Sequence, residues 1–118
     1  KRVRLANGIL LLSIGVPFIH MGQEIGLSKK GNDNTYNVLK LNQMDWNLVD
    51  KRFEMVNFLN GIIRLRKRAK IFSLHSKEEV ANSFNMYEND ECVILEAHDK
   101  ELIGGFESVL FLINPMFL

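Results

Sequence analysis

The spacing of apolar positions along the chain changes several times, and each change marks an element. Over residues 2–13, Val3, Ala6, Ile9, Leu10 and Ser13 recur at helical spacing, with Leu5 and Leu12 widening the apolar face, which predicts an amphipathic helix. Gly15 is placed to end it as a C′ residue, and Pro17 forbids its continuation. Residues 16–21 form a short apolar run between turn residues, which predicts a strand buried on both faces. Residues 26–42 are dense in Gly and Asn and read as a long loop. A second helix is predicted over residues 50–69, with Asp50 as N-cap and Asn47 as its competitor. Phe53, Val56, Leu59 and Ile63, flanked by Phe58, Ile62 and Leu65, give that helix a broad apolar stripe.

After Phe72 the period shortens to that of strands. Ser83-Phe84-Asn85-Met86-Tyr87, Cys92-Val93-Ile94-Leu95-Glu96-Ala97 and Val109-Leu110-Phe111-Leu112-Ile113 are strand candidates. Glu88-Asn89-Asp90-Glu91 reads as a hairpin turn between the first two, and residues 101–108, with Gly104-Gly105, as a loop before the third. The passage from helices to strands predicts a boundary near residue 75.

Composition narrows the class. A chain of 118 residues with 47% hydrophobic and 25% charged content has the make-up of one modest globular domain. A net charge of +1 gives no reason to expect nucleic acid or an anionic membrane as partner. The longest apolar run, residues 9–19, is interrupted by Ser13, Gly15 and Pro17 and falls short of the roughly 18 residues of a membrane span. Lys1-Arg2-Val3-Arg4 ahead of that run has the charge of a secretory signal, but no small-x-small cleavage pattern follows. The single cysteine, Cys92, excludes an internal disulfide, and its strand-like setting suits an inert structural thiol. Both ends read as cut: the first residues carry no helix cap, and Asn114-Pro115-Met116-Phe117-Leu118 leaves apolar side chains for a neighbour.

Candidate chemistry gathers at the end of the predicted 16–21 strand and in the loop after it. His20 stands alone between Ile19 and Met21, and a lone histidine in an apolar strand suits a hydrogen-bonded core position better than a catalytic one. No second His, Cys or carboxylate lies at metal-ligand spacing from it, so zinc is not supported. Glu24 admits two readings: a general acid or nucleophile at a strand end, or a carboxylate that accepts backbone N–H groups and pins the loop. Asp33 lacks the Gly and Glu that a calcium loop requires at its offsets. The Asn residues between 32 and 42 suit turns, since Asx side chains bond their own backbone, and Gly31 permits a positive φ. Together with Tyr36 they also suit carbohydrate, whose hydroxyls pair with amides and whose C–H face packs on an aromatic ring. The basic run Arg64-Leu65-Arg66-Lys67-Arg68-Ala69-Lys70 reads as a solvated helix end favoured by the helix dipole.

Three of these stretches carry a family resemblance. Leu10-Leu11-Leu12-Ser13-Ile14-Gly15-Val16-Pro17-Phe18-Ile19-His20-Met21-Gly22-Gln23-Glu24 resembles the segment around the eighth barrel strand of α-amylase-type glycoside hydrolases. Gly31-Asn32-Asp33-Asn34-Thr35-Tyr36-Asn37 and Asn42-Gln43-Met44-Asp45-Trp46 narrow the resemblance to the type I pullulanase branch of that family. It covers residues 1–75 well and the remainder loosely.

The resemblance implies an α+β fragment. Residues 1–75 would be the last βα unit of a (β/α)8 TIM barrel, and residues 76–118 the first antiparallel strands of a truncated C-terminal β-sandwich. It implies a parent enzyme that cleaves α-1,6-glucosidic bonds of pullulan, glycogen or starch with retention. The nucleophile, the acid/base and the stabilising carboxylate would stand upstream of Lys1, so no catalytic residue, metal or cofactor is expected here. Asn32, Asn34, Tyr36 and Asn37 become candidate α-glucan contacts, and Gln23 and Glu24 loop-positioning groups. The resemblance assigns no role to Lys29, Lys30 or Asp33. The rival expectation is a non-catalytic α/β interaction module that associates with itself or another chain through its apolar surface.

Overall fold

The structure is a computed structural model, and it describes residues 2–99 and 101–114. The expected apolar tail at residues 115–118 lies outside the described residues. The chain is an α+β arrangement of helices followed by a three-stranded sheet. The helices are α1 (Arg2–Leu12), α2 (Leu39–Asn42), α3 (Asn47–Lys51), α4 (Phe53–Arg68) and α5 (Lys77–Ser83). The strands β1 (Phe84–Glu88), β2 (Val93–Ala97) and β3 (Val109–Ile113) form an antiparallel meander in the order β1-β2-β3.

Helix α1 packs on α4, but through a different face from the predicted one. Its buried residues are Asn7, Gly8 and Leu11, whereas Val3, Ala6, Ile9 and Ser13 are exposed. Both faces of α1 are apolar, so a partner decides which is covered, and α4 covers the one carrying Gly8. A Cβ at Gly8 would lie in ordinary van der Waals contact with Phe58 and Ile62, 3.8 Å from each, so this face of α1 lies directly against α4. Leu59 of α4 is buried against this layer, and Arg4 pairs with Glu54 at 2.9 Å across the helix pair. Gly15 takes a left-handed backbone (φ 98°) where the chain leaves α1.

Residues 16–21, expected as a buried strand, form none. A strand exists through its ladder, and no described segment lies beside this one to accept its hydrogen bonds. Val16 is 98% and Phe18 81% exposed, with Pro17 and Ile19 half-buried between them. His20 is likewise exposed and does not occupy a core position.

The second predicted helix is two. Asp50 is not its N-cap but lies inside α3; Asp45 Oδ1 instead accepts from the Asn47 backbone N–H at 3.1 Å and so satisfies the start of α3. Arg52 breaks the helical path before α4 begins. Helix α5, unexpected from periodicity, starts at a capping box: Ser76 Oγ accepts from Glu79 N–H at 3.1 Å and Glu79 accepts from Ser76 N–H at 3.0 Å.

The strands match their predicted runs to within a residue, and the β1–β2 turn closes through Asn89 Oδ1, which accepts from Glu91 and Cys92 N–H. Cys92 is half-buried and free. The main core lies between one sheet face and the chain after α4: Ala69, Ile71, Phe72, Ala97 and Ile103 are buried together, with Phe84, Val109 and Phe111 against them. Phe72 meets Phe111 edge-on at 5.6 Å. Ile103 enters this core from a segment that reads as a loop, because the turns around it carry left-handed Gly104 and Gly105.

Candidate functional site

The exit from α1 is held by one side chain that reads as solvated in the sequence. Arg66 Nη1 donates to the carbonyls of Leu11 (2.7 Å) and Ser13 (2.6 Å), while Nη2 donates to those of Gly15 and Phe72. Its guanidinium lies over the Phe72 ring at 5.5 Å. Burial pulls its pKa down from the ordinary arginine value. Arg66 therefore satisfies the orphan carbonyls at the end of α1 and sets where residues 16–21 begin.

At their far end the chain turns through Gly22, left-handed at φ 90°, into a 3-10 turn over Gln23–Ile25. A Cβ at Gly22 would come within 2.8 Å of Leu27, so both backbone angle and space demand glycine. Gln23 Oε1 accepts from His20 N–H at 3.2 Å, and Gln23 Nε2 donates to Asn7 Oδ1 of α1 at 2.5 Å. Glu24 Oε2 accepts from Gly22 N–H at 3.0 Å. Arg52 Nη1 closes the far side by donating to the carbonyls of Ile25 (2.5 Å) and Gly26 (2.6 Å). Asn7, Arg52 and Arg66 carry no local sequence signal, because their partners stand far along the chain.

The loop that follows is tied by a second polar knot. Thr35, 5% exposed, donates from Oγ1 to Asn42 Oδ1 at 2.9 Å, and Asn42 Nδ2 donates back to the Thr35 carbonyl. Lys29 Nζ donates to Thr35 Oγ1 at 3.2 Å and to Asn42 Oδ1. The side chains on either side of Thr35 point outward, and Tyr36 is 84% exposed.

An open concavity of about 390 Å³ lies over this knot. It is lined by His20 and Met21 from the end of the 16–21 segment and by Lys29, Asp33, Asn34, Thr35, Tyr36 and Asn42 from the loop. Of the candidate sugar contacts, Asn34 and Tyr36 share this concavity. Asn32 and Asn37 are exposed outside its lining, and the Asn32 amide donates to the Lys29 carbonyl at 3.1 Å. Gln23 and Glu24 are not in the lining; Gln23 holds the His20 backbone and Glu24 the Gly22 backbone. Among the described residues no three His, Cys, Asp or Glu side chains gather as a metal site, and no helix is long and apolar enough to cross a membrane.

No protein-family model matches the chain. It is 38% identical over 99 residues to the pullulanase of Bacillus subtilis, an alignment covering 83% of this chain and 13% of that protein. It is 42% identical over 73 residues to the glycogen operon protein GlgX homologue of Mycobacterium tuberculosis, covering 61% of this chain and 10% of the relative. Among solved structures, the pullulanase of Paenibacillus barengoltzii complexed with maltotetraose superposes with a TM-score of 0.87 at 28% identity, over 95% of this chain and 18% of that one. The type I pullulanase of Bacillus subtilis complexed with maltose gives 0.86 at 30% identity, over 94% and 16%. The chain thus spans between a tenth and a fifth of the length of the relatives it matches. In sequence and in backbone path alike, it is similar to a segment of the pullulanase-type glycoside hydrolases.

Proposed function

We propose that this chain is part of a debranching glycoside hydrolase that cleaves α-1,6-glucosidic bonds of pullulan, glycogen or starch with retention. In that reading residues 1–75 close a (β/α)8 barrel and residues 76–118 begin a C-terminal β-sandwich. Retention requires two carboxyl groups about 5–5.5 Å apart. Those groups belong to segments other than this one, and the present chain contributes a wall of the substrate cleft. The observation that carries the reading is the concavity that Asn34 and Tyr36 share with His20, an aromatic ring beside an amide donor and acceptor. Relatives of this fold have been solved with maltose, maltotetraose and maltohexaose. Asn32 and Asn37, outside the concavity, extend the same surface, while Gln23 and Glu24 hold the turn behind it.

Titration of the chain with maltotetraose, followed by NMR, tests the reading. Saturable shifts at Asn34 and Tyr36 are expected, with no release of reducing sugar from pullulan. Pullulan hydrolysis by a pure sample would overturn the assignment of catalysis to other segments, and absent shifts would overturn the sugar-contact role.

A second reading rests on the exposed apolar surface. Val16 and Phe18, with Leu110 and Leu112 on the outer sheet face, leave large hydrophobic side chains in solvent. A non-catalytic module that self-associates through them is the alternative role of the isolated chain.

A further inference from the structure

We infer that Lys29 is the positioning residue of the cleft loop. It sets the presentation of Asn34 and Tyr36 through its bonds to Thr35 and Asn42. The inference rests on the glucan-cleft reading for its ligand, but its geometry stands independently. Thr35 lies between the two contact residues, and its side chain is turned inward and 5% exposed while Tyr36 is 84% exposed. Whatever fixes Thr35 therefore fixes both neighbours. Lys29 Nζ bridges Thr35 Oγ1, at 3.2 Å, and Asn42 Oδ1, and Asn42 in turn grips the Thr35 carbonyl. The loop from 29 to 42 is thus cross-linked at its start, middle and end by one ammonium group.

Among the described residues no carboxylate lies within ion-pair distance of the Lys29 ammonium, and the only ion pair joins Arg4 to Glu54, so neutral oxygens hold the charge. A cation donating to neutral oxygens in a part-buried setting makes stronger hydrogen bonds than a neutral donor would. The adjoining backbone is held in an uncommon state as well: Lys30 is the one described non-glycine residue with positive φ, at 54°, next to Gly31 at 82°. This tight turn brings Lys29 back under Thr35.

Maltotetraose titration by NMR, well below the melting temperature, tests the role. Lys29→Met keeps the stem and removes the donors. It should weaken binding about tenfold, the scale of one charge-assisted hydrogen bond. Thr35→Val should act alike, and Thr35→Ser, which keeps the hydroxyl, should bind as wild type. Amide resonances of Asn34 and Tyr36 should broaden in Lys29→Met while those of α1 and α4 stay in place. If Lys29→Met unfolds the chain, Thr35→Val carries the comparison. Wild-type affinity in Lys29→Met where Tyr36→Ala loses binding would overturn the positioning role. If Tyr36→Ala itself binds as wild type, the glucan reading fails. The loop resonances then decide alone: unchanged Asn34 and Tyr36 amides in Lys29→Met overturn the inference, and broadened ones support it.

Discussion

Gln23 Nε2 donates to Asn7 Oδ1 at 2.5 Å, tying the turn behind the concavity to the buried face of α1. Asn7 is 2% exposed, and its Nδ2 has no partner among the described residues, so the bond to Gln23 satisfies only the oxygen of its buried amide. Gln23→Ala would leave the Asn7 oxygen unpaired as well and should cost about 1–3 kcal/mol. Chemical unfolding of Asn7→Ala, Gln23→Ala and the double variant checks this. Strictly additive costs would show that the two amides are not coupled.

Arg66 should tolerate lysine poorly. Its two nitrogens reach the carbonyls of Leu11, Ser13, Gly15 and Phe72 as a planar fork, which an ammonium cannot reproduce. Arg66→Lys should lower stability by about 1–3 kcal/mol, and Arg66→Ala by more, measured by urea unfolding. Wild-type stability in Arg66→Lys would show that charge alone suffices at the end of α1.

The start of α5 should loosen in acid. Backbone N–H and hydroxyl groups at Ser76 hold the Glu79 carboxyl below its ordinary value. A carboxyl depressed in the folded state contributes stability above its unfolded pKa and loses it as pH falls through the folded one. Protection of the amides of residues 77–83, taken relative to their intrinsic exchange rate at each pH, should therefore fall as pH drops below the ordinary carboxylate range, and Glu79→Gln should flatten that dependence. Equal pH dependence in both proteins would remove the carboxylate from the cap.

In an intact debranching enzyme carrying this segment, Tyr36→Ala should raise KM and leave kcat nearly alone, because a remote sugar contact is made equally in ground and transition states. The loss should be about 1–3 kcal/mol of binding, the value of covering an aromatic face, and Tyr36→Phe should lose less. Glu24→Gln is the contrasting variant: its bond to Gly22 N–H predicts lost thermal stability with kcat retained. A collapse of kcat in a folded Glu24→Gln enzyme would make Glu24 a participant in the chemistry.

The isolated chain should self-associate through residues 16–21 and the β3 edge. Val16 and Phe18 are exposed at 98% and 81%, and β3 is five apolar residues with no charge to discourage pairing. Sedimentation at tens of micromolar should show concentration-dependent association that Phe18→Lys reduces. A monodisperse wild-type monomer would count against the interaction-module reading.

Much of the fold was legible in short-range pattern. Val109-Leu110-Phe111-Leu112-Ile113 predicts β3 with its observed limits, and Asn89 announces the turn it closes with its own side chain. These elements depend on residues a few positions apart, whose preferences the sequence displays directly. Helix α5 was equally local, since Ser76 and Glu79 form a capping box, but its seven residues carry too few apolar positions to show a helical period. Of the site, the polar composition of the loop and its outward Tyr36 could be read, and so could the turn at Gly22-Gln23-Glu24.

What the chain by itself determined is therefore the first helix, the three strands of the sheet and which stretch carries sugar-compatible groups. Only the tertiary structure decided which face of α1 is covered, because Val3–Ile9 and Asn7–Leu11 are both apolar enough and α4 chooses between them by approaching Gly8. It also decided that Arg66 turns inward, that Lys29 binds Thr35 and Asn42, and that residues 16–21 join no strand ladder. Each depends on a partner distant in sequence or on a neighbouring strand. A hydrogen-bond ladder or a buried cation is a property of two segments in contact, which the pattern of one segment does not contain.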